Sequence, residues 1–152
     1  MKRFILTVVA VMFTAVGFAQ NGLNDKGDNI IGTYLTDRGG SKSKVQVTKN
    51  ADGTYNAQVI WIENALDANG NKRKDVKNPD KALRSVDVDK IVLVKGLHYI
   101  PEDKCWGDAK IYDPTKGFRV SVSAEFESAN KLRLRGTILG MGVTLYWTRI
   151  DK

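Results

Sequence analysis

Over residues 118–126 apolar and polar positions alternate without a fault: Phe118, Val120, Val122, Ala124 and Phe126 are apolar or small, and Arg119, Ser121, Ser123 and Glu125 between them are polar. Leu132, Leu134, Gly136 and Ile138 repeat the pattern against Arg133, Arg135 and Thr137, as do Val143, Leu145 and Trp147 against Thr144, Tyr146 and Thr148. Side chains alternate faces along a strand, so this region predicts an antiparallel meander with one dry face and one wet face. A turn at 128–130 sets Glu125 opposite Arg133 and Glu127 opposite Lys131 outside, with Phe126 opposite Leu132 and Ala124 opposite Leu134 inside. Each such pair adds roughly 0.2–1 kcal/mol. Leu139-Gly140-Met141-Gly142 reads as a four-residue loop that keeps Ile138 facing Val143 and Leu134 facing Trp147.

Upstream the same period predicts strands at 30–36, at 44–49 with Val45 and Val47 inward, and at 54–62 with Tyr55, Ala57, Val59 and Trp61 on one face. Asn50-Ala51-Asp52-Gly53 supplies hairpin chemistry between the last two. Residues 91–94 and 106–112 add a fourth and a fifth strand, and the meander brings the count to eight. Residues 21–29 are polar and rich in Gly and Asp, and read as a disordered lead-in. The connection 63–90 is far longer than a hairpin loop. Inside it, 78–84 reads as a short helix with Asn78 as N-cap, Pro79 as first helical residue and Asp80 near the positive end. The chain is therefore all-β. Eight short antiparallel strands joined mostly by tight turns fit a closed up-and-down barrel, which removes exposed edges. A two-sheet sandwich is the alternative.

Residues 1–19 change the setting. Lys2 and Arg3 precede an apolar run over 4–18, and Gly17-Phe18-Ala19 is a small-x-small cleavage pattern, so the stretch reads as a secretory signal peptide. An uncharged run this short is marginal for a membrane span, which needs about 20 residues. Residues 20–152 then form one exported domain, periplasmic or secreted, with no transmembrane segment after cleavage. Losing Lys2 and Arg3 takes the 24 basic residues to 22 against 17 acidic ones, a net charge of +5. Export argues against a nucleic-acid partner and leaves anionic lipid, glycan or plain solubility as the use of that charge. Cys105 is the only cysteine, which excludes an internal disulfide; it reads as a buried structural thiol in a monomer. One His and one Cys exclude a Cys/His zinc site, and no cofactor is expected.

Three stretches carry a resemblance: Asp75 with Asn78-Pro79-Asp80-x-x-Leu83-Arg84, Trp106-Gly107-x-x-x-Ile111-Tyr112-Asp113-Pro114, and Trp147-x-Arg149. Together they resemble the bacterial domain-of-unknown-function family 2147, small exported proteins without an assigned activity. The resemblance spans nearly all of residues 20–152 and brings no catalytic residues with it. A fainter one is to lipocalins, in which a Gly-x-Trp opens the first strand and an Arg on the last strand packs over that Trp to close one barrel end. Gly32-x-Tyr34 and Arg149 stand in the corresponding places, with Tyr for Trp. Arg149 shares the parity of Trp147 and points inward, where an aromatic face and carbonyls can hold a guanidinium.

The candidates for chemistry are few. Asp75, Asp80, Asp108 and Asp113 could form an acid/base pair or a cation site at a barrel rim, but turn and cap chemistry explains Asp in such stretches. Asp67-x-Asn69-Gly70-Asn71 lacks the Gly and Glu that an EF-hand loop needs. His98 has no nucleophile placed beside it by a motif. Lys72-Arg73-Lys74 reads as a solvated loop that could touch anionic glycan or lipid headgroups. Tyr55, Trp61, Phe118, Phe126 and Trp147 are core residues first, and ligand contacts only if the core leaves a cavity. The sequence thus predicts a non-enzymatic barrel for a small apolar or amphipathic ligand, touched by Tyr34, Trp61, Phe118, Trp147 and Arg149, with charged groups of residues 63–90 flanking its mouth. An anionic end of the ligand would pair with Arg149, unless Tyr34 and backbone carbonyls already satisfy that guanidinium at a plugged barrel end. The alternative is an envelope interaction module with a solid barrel acting through residues 63–90, and a hydrolase comes third.

Overall fold

A computed structural model of the chain describes residues 22–152; the stretch read as a signal peptide lies outside them. Eight strands follow one another: β1 (Gly32–Arg38), β2 (Ser41–Lys49), β3 (Tyr55–Ile62), β4 (Val92–Ile100), β5 (Cys105–Asp113), β6 (Phe118–Ser128), β7 (Lys131–Ile138) and β8 (Met141–Asp151). Each pairs antiparallel with its neighbours, and β8 returns to β1 with Tyr34 beside Arg149 and Leu35 beside Thr148. The sheet is a closed barrel, not a sandwich.

The alternating positions form its core: Val45 and Val47 of β2, Tyr55, Ala57 and Val59 of β3, Val122, Ala124 and Phe126 of β6, Leu132 and Leu134 of β7, and Trp147 of β8 are buried. The β6–β7 register is the expected one, with Phe126 opposite Leu132, Ala124 opposite Leu134 and Glu125 opposite Arg133. Glu127 reaches Lys131 at 3.3 Å, although a bulge makes Ser128 its backbone partner.

Bulges account for most departures from the expected pattern. In β3 the pairing slips so that Val59 lies opposite Val45 but Trp61 opposite Lys44, with Ile60 as the extra residue. One extra residue reverses every side chain beyond it. Trp61 therefore stands outside the barrel, 42 % exposed beneath the Lys44 ammonium, and Ile62 takes the inward place. In β4 a slip around Gly96 puts Val94 and Leu97 inward, three residues apart. That break in period hid the second half of the strand. The β7–β8 connection is two residues, Leu139 and Gly140, both with positive φ, rather than four. Such a turn matches the twist of the strands that it joins. Gly136 accordingly faces Val143 and Leu132 faces Trp147, a shift of two that preserves the inward parity.

The segment before β1 is not a disordered lead-in. Residues 27–30 form a 3-10 helix that plugs one barrel end, with Ile30 1 % exposed. Distant groups pin it: Trp106 Nε1 donates to the Gly27 carbonyl at 3.0 Å, Tyr34 Oη to that of Ile30 at 2.7 Å, and Tyr99 Oη to that of Asn24 at 2.7 Å. The Asn24 amide exchanges two hydrogen bonds with the Phe126 backbone. A Cβ on residue 27 would sit 2.6 Å from the Tyr55 hydroxyl, so glycine is what lets the plug seat.

Candidate functional site

The other end of the barrel is open. A cavity of about 430 Å³ lies beneath it, within the size range of small-molecule sites. Val59, Ile91, Leu93, Ile111, Leu145 and Trp147 wall it, and Arg38, Arg73, Asp75, Lys77 and Thr115 stand at its rim.

The connection 63–91 makes most of that rim, and side-chain chemistry holds it in shape. Residues 72–75 run antiparallel to 86–89: Asp75 N donates to the Val86 carbonyl, Val88 N to that of Arg73, and Lys74 pairs with Asp87. Val88 anchors the return stretch in the core. The short helix is a 3-10 turn, Lys81–Leu83, capped by Asp80 rather than Asn78, since Ala82 N donates to Asp80 Oδ1 at 3.0 Å. Asn78 acts one step earlier, accepting from Asp80 N at 2.9 Å.

Two links then fasten the connection to the β5–β6 turn. Tyr112 Oη donates to Asp75 Oδ1 at 2.7 Å while Asn78 Nδ2 donates to Asp75 Oδ2 at 2.7 Å, all three residues being buried. Lys77 Nζ donates to the Thr115 carbonyl at 2.7 Å, and the Lys77 carbonyl lies where a Cβ on Gly117 would be, 2.3 Å away. A third link crosses the mouth. Arg38 ends β1 and Asp113 ends β5, four strands apart in an eight-stranded barrel, yet Arg38 Nη2 lies 2.6 Å from Asp113 Oδ2. Asp113 also accepts from Thr115 N and Oγ1. Two of the stretches that carry the family resemblance therefore meet at the rim of the cavity.

Burial, and then the hydrogen bond to Asp75, push the Tyr112 hydroxyl well above its ordinary range, so it stays protonated as a donor. Cys105 is half-buried near the plugged end, where burial and the Asp103 and Asp108 carboxylates push its thiol up and away from the reactive thiolate. His98 is exposed, away from the cavity wall. Asp108 is exposed at a left-handed φ of 55°. Among the described residues no group of three His, Cys, Asp or Glu is placed to hold a metal ion, and no helix is long and apolar enough to cross a membrane.

Of the five ligand contacts expected from sequence, Trp147 lies in the cavity wall. Tyr34 and Arg149 meet at the plugged end instead: Arg149 Nη2 donates to Tyr34 Oη at 2.9 Å and to the Asn29 carbonyl, and the guanidinium lies 4.5 Å from the Phe126 ring centre. Phe118 is half-buried at the start of β6 beside Lys116, outside the cavity wall, and Trp61 faces outward. Sequence reasoning missed Ile91, Leu93 and Ile111 as wall and Arg38 as rim; the charged rim from 63–90 was expected, without Arg73 and Lys77 being singled out for it. For Asp75 and Tyr112 the signal was present in the quoted motifs, without a geometry to connect them.

A family model described as "Uncharacterized protein conserved in bacteria (DUF2147)" matches residues 32–149. No match was found among curated proteins. Among solved structures the chain is similar to protein HP1028 from the human pathogen Helicobacter pylori, which is described as belonging to the lipocalin family. The two are 26 % identical, with a TM-score of 0.63, over 79 % of this chain and 82 % of that one.

Proposed function

The chain belongs to the DUF2147 family, and from that premise we propose that it is a non-enzymatic carrier of a small amphipathic ligand, exported from the cytoplasm on the leader read at 1–19. Its barrel is lipocalin-like, an architecture compatible with a small ligand in the interior. The observation that carries the proposal is the cavity itself: an apolar wall ending in Trp147, beneath a polar rim. The apolar part of the ligand occupies the space between Val59, Ile111 and Leu145. Its polar end lies at the rim, where Arg73 and Lys77 are hydrogen-bonded to the carbonyls of Asn64 and Thr115 rather than to carboxylates. That leaves their charge for an anionic group, which a cation recognises through charge-assisted hydrogen bonds. The role first given to Arg149 passes to these two, because Arg149 lies at the plugged end outside the cavity wall, its Nη2 bonded to Tyr34 and the Asn29 carbonyl.

The test is a titration of Trp emission with fatty acids of graded chain length, on the parent and on Trp61→Phe. The substitution removes the exposed emitter and leaves Trp147 against the ligand. A saturable change that persists in Trp61→Phe and weakens in Arg73→Gln supports the carrier. No saturable change in either protein overturns it. It would favour the second reading, an interaction module acting through 63–90, for which the exposed Leu66, Val76 and Leu83 on that connection speak.

A further inference from the structure

The turn between β7 and β8 is chemically odd. Leu139 has φ +50°, a left-handed conformation that a branched side chain rarely adopts and that Gly, Asn or Asp takes with less strain. Nothing repays the strain within the fold, for Leu139 is 94 % exposed. Its neighbour Met141 is 67 % exposed, and Val143 is also exposed. A Cβ on Gly140 or Gly142 would meet no atom within 4 Å, so the hairpin projects free of the barrel among the described residues. Single exposed apolar side chains are ordinary, but an apolar tip built on a strained turn is not explained by folding.

Its position gives it a use. Alternate residues of β8 share one face, and along that face Trp147 and Leu145 line the cavity while Val143 and Met141 continue past the rim into solvent. An apolar track thus runs from the cavity wall to the tip. Val76, also at the rim, is exposed as well. Basic residues flank the tip: Arg135 on β7, Arg119 on β6 and Lys116 in the β5–β6 turn are all exposed. None of the three takes part in an ion pair among the described residues. Lys116 and Arg119 lie over the rings of Phe118 and Tyr112, contacts that leave their charge unneutralised. An apolar tip beside cations that no carboxylate neutralises is complementary to a surface that is apolar inside and anionic outside.

We propose that the β7–β8 hairpin is a docking finger for an anionic lipid surface. Leu139 and Met141 enter between the headgroups, Lys116, Arg119 and Arg135 face the phosphates, and the barrel mouth is presented to the bilayer. This goes beyond the carrier reading and stands without it, since docking can be measured on protein with no ligand added.

The experiment is flotation of the full chain with vesicles of phosphatidylglycerol and phosphatidylcholine, and with vesicles of phosphatidylcholine alone. The parent is compared with the double variants L139N/M141S and R119Q/R135Q. All share one N-terminus, so a difference between them reports on the substituted residues. The parent should float with the anionic vesicles and much less with the neutral ones. L139N/M141S should lower partitioning at least tenfold. R119Q/R135Q should lower it by about 25-fold at low salt, roughly fivefold for each cation near an anionic surface. Asn suits the left-handed turn, so L139N/M141S should keep the parent's urea midpoint or exceed it, which separates lost docking from lost folding. Equal flotation with neutral vesicles, or a finger variant that floats like the parent, overturns the proposal. So does a parent dimer in sedimentation that the finger variant abolishes, since the tip would then bind a second copy. The fatty-acid titration should be unchanged in L139N/M141S, so docking and carriage can fail separately.

Discussion

Trp106 and Trp147 lie in one barrel in different surroundings, Trp106 against the plug and Trp147 at the floor of the cavity. Trp106 is completely buried, its ring set edge-on to Phe126 at 5.8 Å and tilted against Tyr99 at 5.3 Å, with its indole N–H spent on Gly27. Trp147 is also buried, and its nearest aromatic partner is Tyr34 at 6.0 Å, but its surface lines a space of about 430 Å³. At the plugged end the chain's own residues 22–31 fill the barrel and aromatic hydroxyls hold them there. At the open end a long connection is tied back to form a rim and leaves the interior unfilled. One end is made by packing and the other by withholding it.

The largest expected effect tests that contrast. Trp106→Ala should cost about 3–5 kcal/mol, the usual range for a buried aromatic cut to alanine, because close neighbours surround the hole that it leaves. Trp147→Ala should cost clearly less, since enlarging an existing cavity removes fewer contacts than opening a new one. Urea midpoints of the two variants decide it. Equal losses would mean that the space beside Trp147 is closed in solution and the barrel solid.

The strand pattern was legible because one dry face and one wet face leave their mark on every second residue, and the closure followed from eight such strands with tight turns. Legibility failed where the backbone broke its own period. The bulge at Ile60 sent Trp61 outward, and the slip at Gly96 put Val94 and Leu97 out of step. The plug failed for another reason. Asn24, Gly27 and Asp28 look like solvated loop, and only partners many positions away, Trp106, Tyr55 and Phe126, make them interior. The rim was half legible. Asp75 and Tyr112 stood in separate motifs, but nothing local says that a carboxylate at the edge of a loop will meet a tyrosine on β5. Arg149 was placed inward by parity, Tyr34 beside it by the lipocalin likeness and a carbonyl partner by the needs of a buried guanidinium, whereas Phe126 was not foreseen.

Arg149 provides a second, smaller test of the same contrast. Its guanidinium lies over Phe126 and Tyr34 and donates to the Asn29 carbonyl, so it belongs to the plug. Arg149→Leu should lower stability by about 1–3 kcal/mol, the range for losing hydrogen bonds to a charged group and exposing the acceptors left behind. Fatty-acid affinity should stay at the parent's value. A variant that keeps its urea midpoint but loses saturable binding would place the ligand's polar end at Arg149 and reverse the assignment of the two ends.

The last effect is absent at neutral pH and appears only in alkali. Burial pushes the Tyr34 hydroxyl up to about 12, against the opposing pull of Arg149, whereas an exposed tyrosine titrates near 10. The folded protein therefore keeps this proton after the unfolded chain has lost it. Stability contributed by the shift is fully present below about pH 10 and falls between pH 10 and 12, at about 1.4 kcal/mol per pH unit for each such group. Tyr55, whose hydroxyl donates to Asp28 at 2.6 Å beside the plug, is shifted in the same direction by burial and by that carboxylate, as Tyr112 is at the rim. Two of the three raised tyrosines thus hold the plug, so alkali should loosen that end more than the other. Urea midpoints measured from pH 9 to 11.5 should fall steeply for the parent, less steeply for Tyr34→Phe, and least for Tyr34→Phe combined with Tyr55→Phe. Parallel curves for all three would show that these hydroxyls do not hold their protons in the folded barrel, and the plug would then owe its order to Ile30, Trp106, Tyr99 and the Asn24 amide.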